Sequence, residues 1–183
     1  IDTATDEVAA SIDVGVNPHG LAMSRDGRKV LVSGFGSNRA LIIDTATDKV
    51  TGEVAAPQVH NGTISPDGTR AWVGSQKQGE AAIIMLDLQT MTRVGSIALD
   101  KTPRALDVSP DGRRVYFTLA GVNAIQVLDT STNQVIAQVP VGASPHLAPP
   151  TPDGRWDLAV VQGPGELGII DTRTSNIGSA STN

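Results

Sequence analysis

Apolar residues in this chain come in short runs rich in Val, Ile and Leu, broken by Gly, Pro, Asn and Asp, without the three-and-four spacing of an amphipathic helix. Residues 103–141 show the pattern plainly: PRALDVS, RRVYFTL, NAIQVLD and NQVIAQVPV are four candidate strands, with PDG as the turn after the first. In that turn Pro110 presets φ, Asp111 can accept from the backbone ahead of it, and Gly112 tolerates a left-handed backbone that strains other residues. The same order of runs returns along the chain. IDTATD at 1–6 recurs at 43–48, then as LDLQTM at 86–91, LDTSTN at 128–133 and IDTRTS at 170–175, so Asp2, Asp44, Asp87, Asp129 and Asp171 stand about 42 residues apart. A second marker, SRDG, SPDG, SPDG and TPDG, places Gly27, Gly68, Gly112 and Gly154 on the same period. Both phrases read as turn chemistry rather than catalysis, because Asp, Ser and Thr side chains hydrogen-bond their own backbone at chain reversals.

Four short antiparallel strands repeated at this interval describe a blade, and the chain as a whole an all-β β-propeller. A single blade has two apolar faces and cannot bury them alone, so neighbours must stack around an axis. The second strands, RKVLVSG, TRAWVGS and RRVYFTL, are apolar on consecutive positions, as strands covered on both faces should be. Trp72 and Tyr116, each four residues past a turn glycine, read as packing between blades. RWDLAVV departs, since Asp157 stands where the other repeats have Val30, Ala71 and Val115; either that strand is exposed or the carboxylate has a partner. The repeats fall at 15–56, 57–99, 100–141 and 142–171 of one domain, 1–183. Residues 7–14 read as an outer strand that closes the last blade, and 172–183 as a polar tail. Such propellers usually have about six to eight blades, so a little over four are expected to form an arc, part or half of a larger ring, completed by further sequence or by a second copy in a homodimer. A closed four-bladed ring is the remaining alternative. An open arc exposes strand edges and an apolar blade face, which invites association.

The histidines sharpen the picture. His19, His60 and His146 each lie eight residues before the turn glycine of their repeat, and Arg104 holds the same place in the third. In a propeller this is the entry to the innermost strand, at the mouth of the central channel, where successive blades converge. Three neutral imidazoles, His19, His60 and His146, are candidate ligands for zinc, copper, nickel or iron, and Arg104 could hold an anion beside them. The plainer reading is a duplicated loop motif whose histidine bonds a neighbouring carbonyl. Loops between second and third strands emerge on the same face and bring Asn38, Arg39, Gln76, Lys77, Asn123 and Gln162, with Glu80 and Glu166 as the acids available for ligation or proton transfer. Asp107, on the third innermost strand, is the other carboxylate near the axis, or else a buried acid satisfied by Arg104.

Ser109–Gly142, SPDGRRVYFTLAGVNAIQVLDTSTNQVIAQVPVG, resembles the YVTN-type β-propeller repeat, and the resemblance extends over essentially the whole chain. SGFGS at 33–37, VGSQKQ at 73–78 and APPTPDGRW in the fourth repeat depart from it. The resemblance implies a propeller and an exported protein, periplasmic or secreted. It leaves function open, because propellers of this kind include surface-layer proteins, lactonase-like enzymes and redox-associated members.

Composition removes several classes. The 183 residues carry a formal charge of −5 and no basic run, which argues against nucleic acid as a partner. No stretch is long and apolar enough for a membrane-spanning helix, the first residues show no basic-then-apolar signal pattern, and a chain beginning at Ile1 reads as a processed protein or a piece of a longer one. Without cysteine there are no disulfides, thiolate metal sites or CxxCH haem attachments, and neither a phosphate-binding glycine loop nor a GxSxG elbow is present. What stays open is a non-catalytic scaffold binding a small ligand, a metal or a partner protein at the channel mouth. The alternatives are a metal-dependent lactonase-like or lyase-like enzyme at the same face, or a redox-associated propeller holding a non-covalent cofactor such as haem.

Overall fold

The computed structural model of the protein describes residues 1–174 and the backbone of 176–180. Every regular element among them is a strand. The first blade contains β1 (Pro18–Met23), β2 (Lys29–Gly34), β3 (Arg39–Asp44) and β4 (Lys49–Ala55); the second contains β5 (Val59–Ile64), β6 (Arg70–Ser75), β7 (Ala82–Asp87) and β8 (Thr92–Ala98). The third contains β9 (Pro103–Val108), β10 (Arg114–Leu119), β11 (Ala124–Asp129) and β12 (Gln134–Pro140), and the fourth β13 (Pro145–Leu147), β14 (Trp156–Val161), β15 (Glu166–Asp171) and β16 (Asn176–Ala180). Each set is an antiparallel meander in chain order, and the innermost strands β1, β5, β9 and β13 pack successively on one another.

Turn chemistry explains why the strands end where they do. The hydroxyl of Ser65 donates to Asp67 Oδ1 at 2.6 Å, that oxygen accepts from the Thr69 amide at 3.0 Å, and Gly68 turns the chain with φ 69°. Ser24 with Asp26, Ser109 with Asp111 and Thr151 with Asp153 repeat the arrangement. At the other reversal Asp129 Oδ1 accepts from the amides of Ser131 and Thr132, both at 2.9 Å. The adjacent Thr130 ties the two corners together, donating to the Gly112 carbonyl at 2.7 Å; Thr45 and Thr172 do likewise to Gly27 and Gly154.

Side chains alternate between the two faces of each blade, so one residue packs forward and the next backward. Leu31, Ala40 and Ile42 of the first blade meet Ile64, Val73 and Ile84 of the second. Trp72 and Ile83 meet Leu106, Val115, Phe117 and Leu128 across the next seam. Tyr116, Ile125 and Val127 meet Ala148, Ala159 and Ile170 across the last. Trp72 and Tyr116 thus pack between blades as their repeat position predicts. The two outer faces of the arc are not covered to the same degree. Leu21 and Met23 of β1 are 72% and 65% exposed, and Val160 of β14 is 36% exposed.

Two expectations from sequence are corrected at the ends of the arc. Residues 7–14 do not close the fourth blade; Ile12 and Val14 instead lie against Val32, Leu41 and Ile43 on the outer face of the first. The fourth blade supplies its own outer strand, Asn176–Ala180, from within the segment read as a polar tail, with Ile169 paired to Gly178 and Asp171 to Asn176. An edge strand needs backbone pairing more than apolar side chains, which is why its polarity misled. Ser175 and residues 181–183 lie outside the described residues. The short β13 also has a local cause: Pro149 and Pro150 have no N–H to give the ladder, and past it the contact continues as the Pro149 carbonyl accepting from Leu158 at 3.1 Å, an isolated bridge between Pro150 and Asp157, and the Thr151 amide donating to the Trp156 carbonyl at 2.8 Å.

Candidate functional site at the channel mouth

Each innermost strand carries one nitrogen-bearing side chain as its second residue: His19, His60, Arg104 and His146. The His19 and His60 rings lie against each other with centroids 3.6 Å apart and planes 32° from parallel. Their approach depends on Gly20, where a Cβ would fall 2.7 Å from the His60 carbonyl oxygen and against Asn61 Oδ1. His60 Nδ1 sits 3.1 Å from the Arg104 carbonyl, to which Asn61 also donates at 2.8 Å. This is the histidine-to-carbonyl contact that the plainer sequence reading anticipates, and it fixes the ring. Burial pushes the His60 pKa down; the Arg104 carbonyl opposes that, while the charges of His19, His146 and Arg104 add to the depression. The His146 carbonyl accepts from Thr118 Oγ1 at 3.0 Å, and its Nδ1 is buried without a hydrogen-bond partner.

Among the described residues no three His, Cys, Asp or Glu side chains gather closely enough to hold a metal ion. The imidazoles are neighbours without forming a three-donor set: two are stacked, and one of those turns a nitrogen to backbone. The acids considered for this face are engaged elsewhere or apart. Glu80 pairs with Lys77 at 2.7 Å on an exposed loop, and Glu166 opens β15, outside the innermost strands. Several loop residues have structural duties. Asn38 Oδ1 accepts from the Gln58 amide at 3.0 Å, Asn123 Oδ1 from the Ser144 amide at 3.2 Å, and Gln76 Nε2 donates to the Pro103 carbonyl at 2.7 Å. Each pins the loop of one blade to the entry of an innermost strand. Asn61 was not signalled by any motif, although it interrupts the small or apolar residues Gly20, Ala105 and Leu147 at its repeat position.

Asp107 is not satisfied by Arg104. Burial raises its carboxyl to about 6, with no counter-charge acting on it. It faces instead the seam between the third and fourth blades, where Asp157 lies on β14. Asp157 is 0% exposed and neither carboxylate oxygen has a hydrogen-bond partner. Burial, and then the charge of Asp107, push its carboxyl up to about 8. The odd residue of the fourth repeat is therefore neither exposed nor paired with a cation. At the far end of the axis a hollow lined by Met23, Arg25, Ile64, Val108 and Pro152 is spanned by Arg25, whose Nη1 donates from the first blade to the Pro110 carbonyl of the third at 3.3 Å.

A family profile for choice-of-anchor I domains matches residues 2–163. The chain belongs to the choice-of-anchor I domain family. It is also 29% identical over 122 residues to the seven-bladed β-propeller protein Rv1057 of Mycobacterium tuberculosis, an alignment covering 65% of this chain and 31% of that one. The protein YncE of Salmonella typhimurium is 23% identical over 124 residues, 65% of this chain and 35% of that one. The chain thus spans about a third of the length of these curated relatives. The hydrazine synthase structure from Kuenenia stuttgartiensis superposes with a TM-score of 0.83 at 22% identity over 100% of this chain and 59% of that chain, which establishes a shared fold. The domain is a β-propeller scaffold in four blades, and among its described residues no helix is long and apolar enough to cross a membrane.

Proposed function

We propose that this domain is a non-catalytic binding module whose ligand-facing surface is the channel mouth. The observation that carries the reading is the convergence of His19, His60, Arg104 and His146 from four successive blades onto one end of the axis, with the His19 and His60 rings in contact. A rigid frame that varies its side chains at one face is a familiar way to build a recognition surface. Catalysis by acid–base or metal-assisted chemistry calls for a carboxylate among the imidazoles, and Glu80 is committed to Lys77. The module acts outside the cytoplasm, at the cell surface or as a secreted or periplasmic protein, in keeping with its family and with its resemblance to YVTN-type repeats. Its end faces, with Leu21 and Met23 exposed on the first, are where further blades of a longer chain or a second copy would complete a ring.

The test is a thermal-shift screen of the purified protein and of His60→Ala against zinc, copper, haem and a panel of small organic acids and sugars, with a visible spectrum of the protein as isolated. A ligand that raises the midpoint of the wild-type protein and not of His60→Ala supports the reading. Turnover of a lactone by the wild-type protein, abolished in His60→Ala, would replace it with the enzymatic one.

A further inference from the structure

Resting on that reading, we propose that the channel mouth is an anion site, taking the carboxylate or phosphate group of a small ligand between Arg104 and the imidazoles around it. The charges that act on His60 are those of His19, His146 and Arg104, with no carboxylate among them. Arg104 is half-buried, and none of the ion pairs among the described residues includes it, whereas Arg28, Arg39 and Arg173 each have an acid within reach. His60 and Asn61 engage the backbone carbonyl of Arg104 and leave its guanidinium uncommitted. A partly desolvated guanidinium without a counter-ion is the group best shaped to take a carboxylate or phosphate in a two-pronged hydrogen bond.

The imidazoles suit the same guest. Every neutral imidazole carries one N–H, and the exposed His19 ring lies against His60 with no hydrogen bond to other described residues, so the mouth has hydrogen-bonding capacity that the fold does not use. A cation is the poorer fit. It would have to enter beside a fixed positive charge, and no three suitable donors gather to repay its dehydration. The two acids of this face weighed above do not pair with Arg104: Asp107 faces Asp157 in the blade seam, and Glu80 is held by Lys77.

Isothermal titration calorimetry with inorganic phosphate, with succinate and with zinc chloride, at fixed ionic strength, tests the proposal on the wild-type protein, Arg104→Gln and Arg113→Gln. Arg113 is an exposed arginine on the turn face at the opposite end of the blade. Saturable binding of phosphate or succinate is expected, weakened about tenfold or more in Arg104→Gln, as the loss of a charge-assisted hydrogen bond implies, and unchanged in Arg113→Gln. Which anion binds tells phosphate from carboxylate recognition. Should Arg104→Gln fail to fold, judged by far-ultraviolet circular dichroism, His19→Gln takes its place with the same expected loss. Anion binding equal in all variants would overturn the proposal as diffuse electrostatics. Zinc binding without anion binding would overturn it while keeping the mouth as a ligand site, and no binding of any probe, here or in the thermal-shift screen, would overturn both readings.

Discussion

Replacing Asp157 by valine should stabilise this protein, and the gain should depend on pH. The other blades have Val30, Ala71 and Val115 at this position, so the site is built to receive an apolar side chain. Asp157 is instead a fully buried acid whose oxygens have no partner, with its carboxyl pushed up to about 8 from an ordinary 3.8. Between those values the unfolded chain releases a proton that the folded chain keeps, so stability falls as pH rises through this window and levels off above it. Each unit is worth about 1.4 kcal/mol, which makes the penalty about 4 kcal/mol near neutral pH and close to zero near pH 4. Asp157→Val removes the titrating group and adds buried methyl surface at about 25 cal/mol per Å². Urea unfolding followed by circular dichroism at pH 4, 6 and 8 measures the difference. The expected gain is small at pH 4 and grows to about 3–5 kcal/mol at pH 8. Equal pH slopes in the two proteins, or a variant less stable at pH 8, would refute the argument. Asp107→Asn, which removes the second titrating group of the seam, should reduce the slope between about pH 4 and 6, where Asp107 itself takes part, and end the remaining slope at a lower pH.

Other outcomes follow from the same structure. Phe117, fully buried in the seam between the second and third blades, should cost about 3–5 kcal/mol when changed to alanine, read by the same urea titration. Thr130→Val leaves the Gly112 carbonyl without its 2.7 Å donor and should cost about 1 kcal/mol, an amount that vanishes if water replaces the hydroxyl. On the acid side, the hydrogen bond from Ser131 and the Thr132 amide hold Asp129 down to about 2, and Arg173 holds Asp171 there. Their contribution is complete above the ordinary carboxylate range and is lost as pH falls from about 4 toward 2. Asp129→Asn should flatten that acid limb in a thermal-melting series. Gly20→Ala sets a methyl against the His60 carbonyl; it should lower the melting temperature and remove the ring-current shift that the His19–His60 contact imposes on imidazole proton resonances.

The periodic phrases determined the architecture because they act locally. An SPDG or IDT corner hydrogen-bonds within a few residues, so its presence dictates a reversal wherever it occurs, and a run of consecutive apolar residues between reversals dictates a strand with two faces to bury. Blade number, the entry position of His19, His60, Arg104 and His146, and the inter-blade roles of Trp72 and Tyr116 were legible on those grounds. Long-range geometry was not. The fourth blade takes its outer strand from a polar stretch because backbone pairing, not side-chain hydrophobicity, recruits an edge. The stacking of His19 on His60 is permitted by the missing side chain at Gly20, a contact between blades about 40 residues apart. Asp107 and Asp157, fifty positions apart in the chain, came within electrostatic reach, one half-buried and the other fully buried, only when two repeats were laid face to face. Which nitrogens of the mouth are committed likewise emerged only in three dimensions: a His60 nitrogen is turned to the Arg104 carbonyl, while none of the ion pairs among the described residues includes the Arg104 guanidinium.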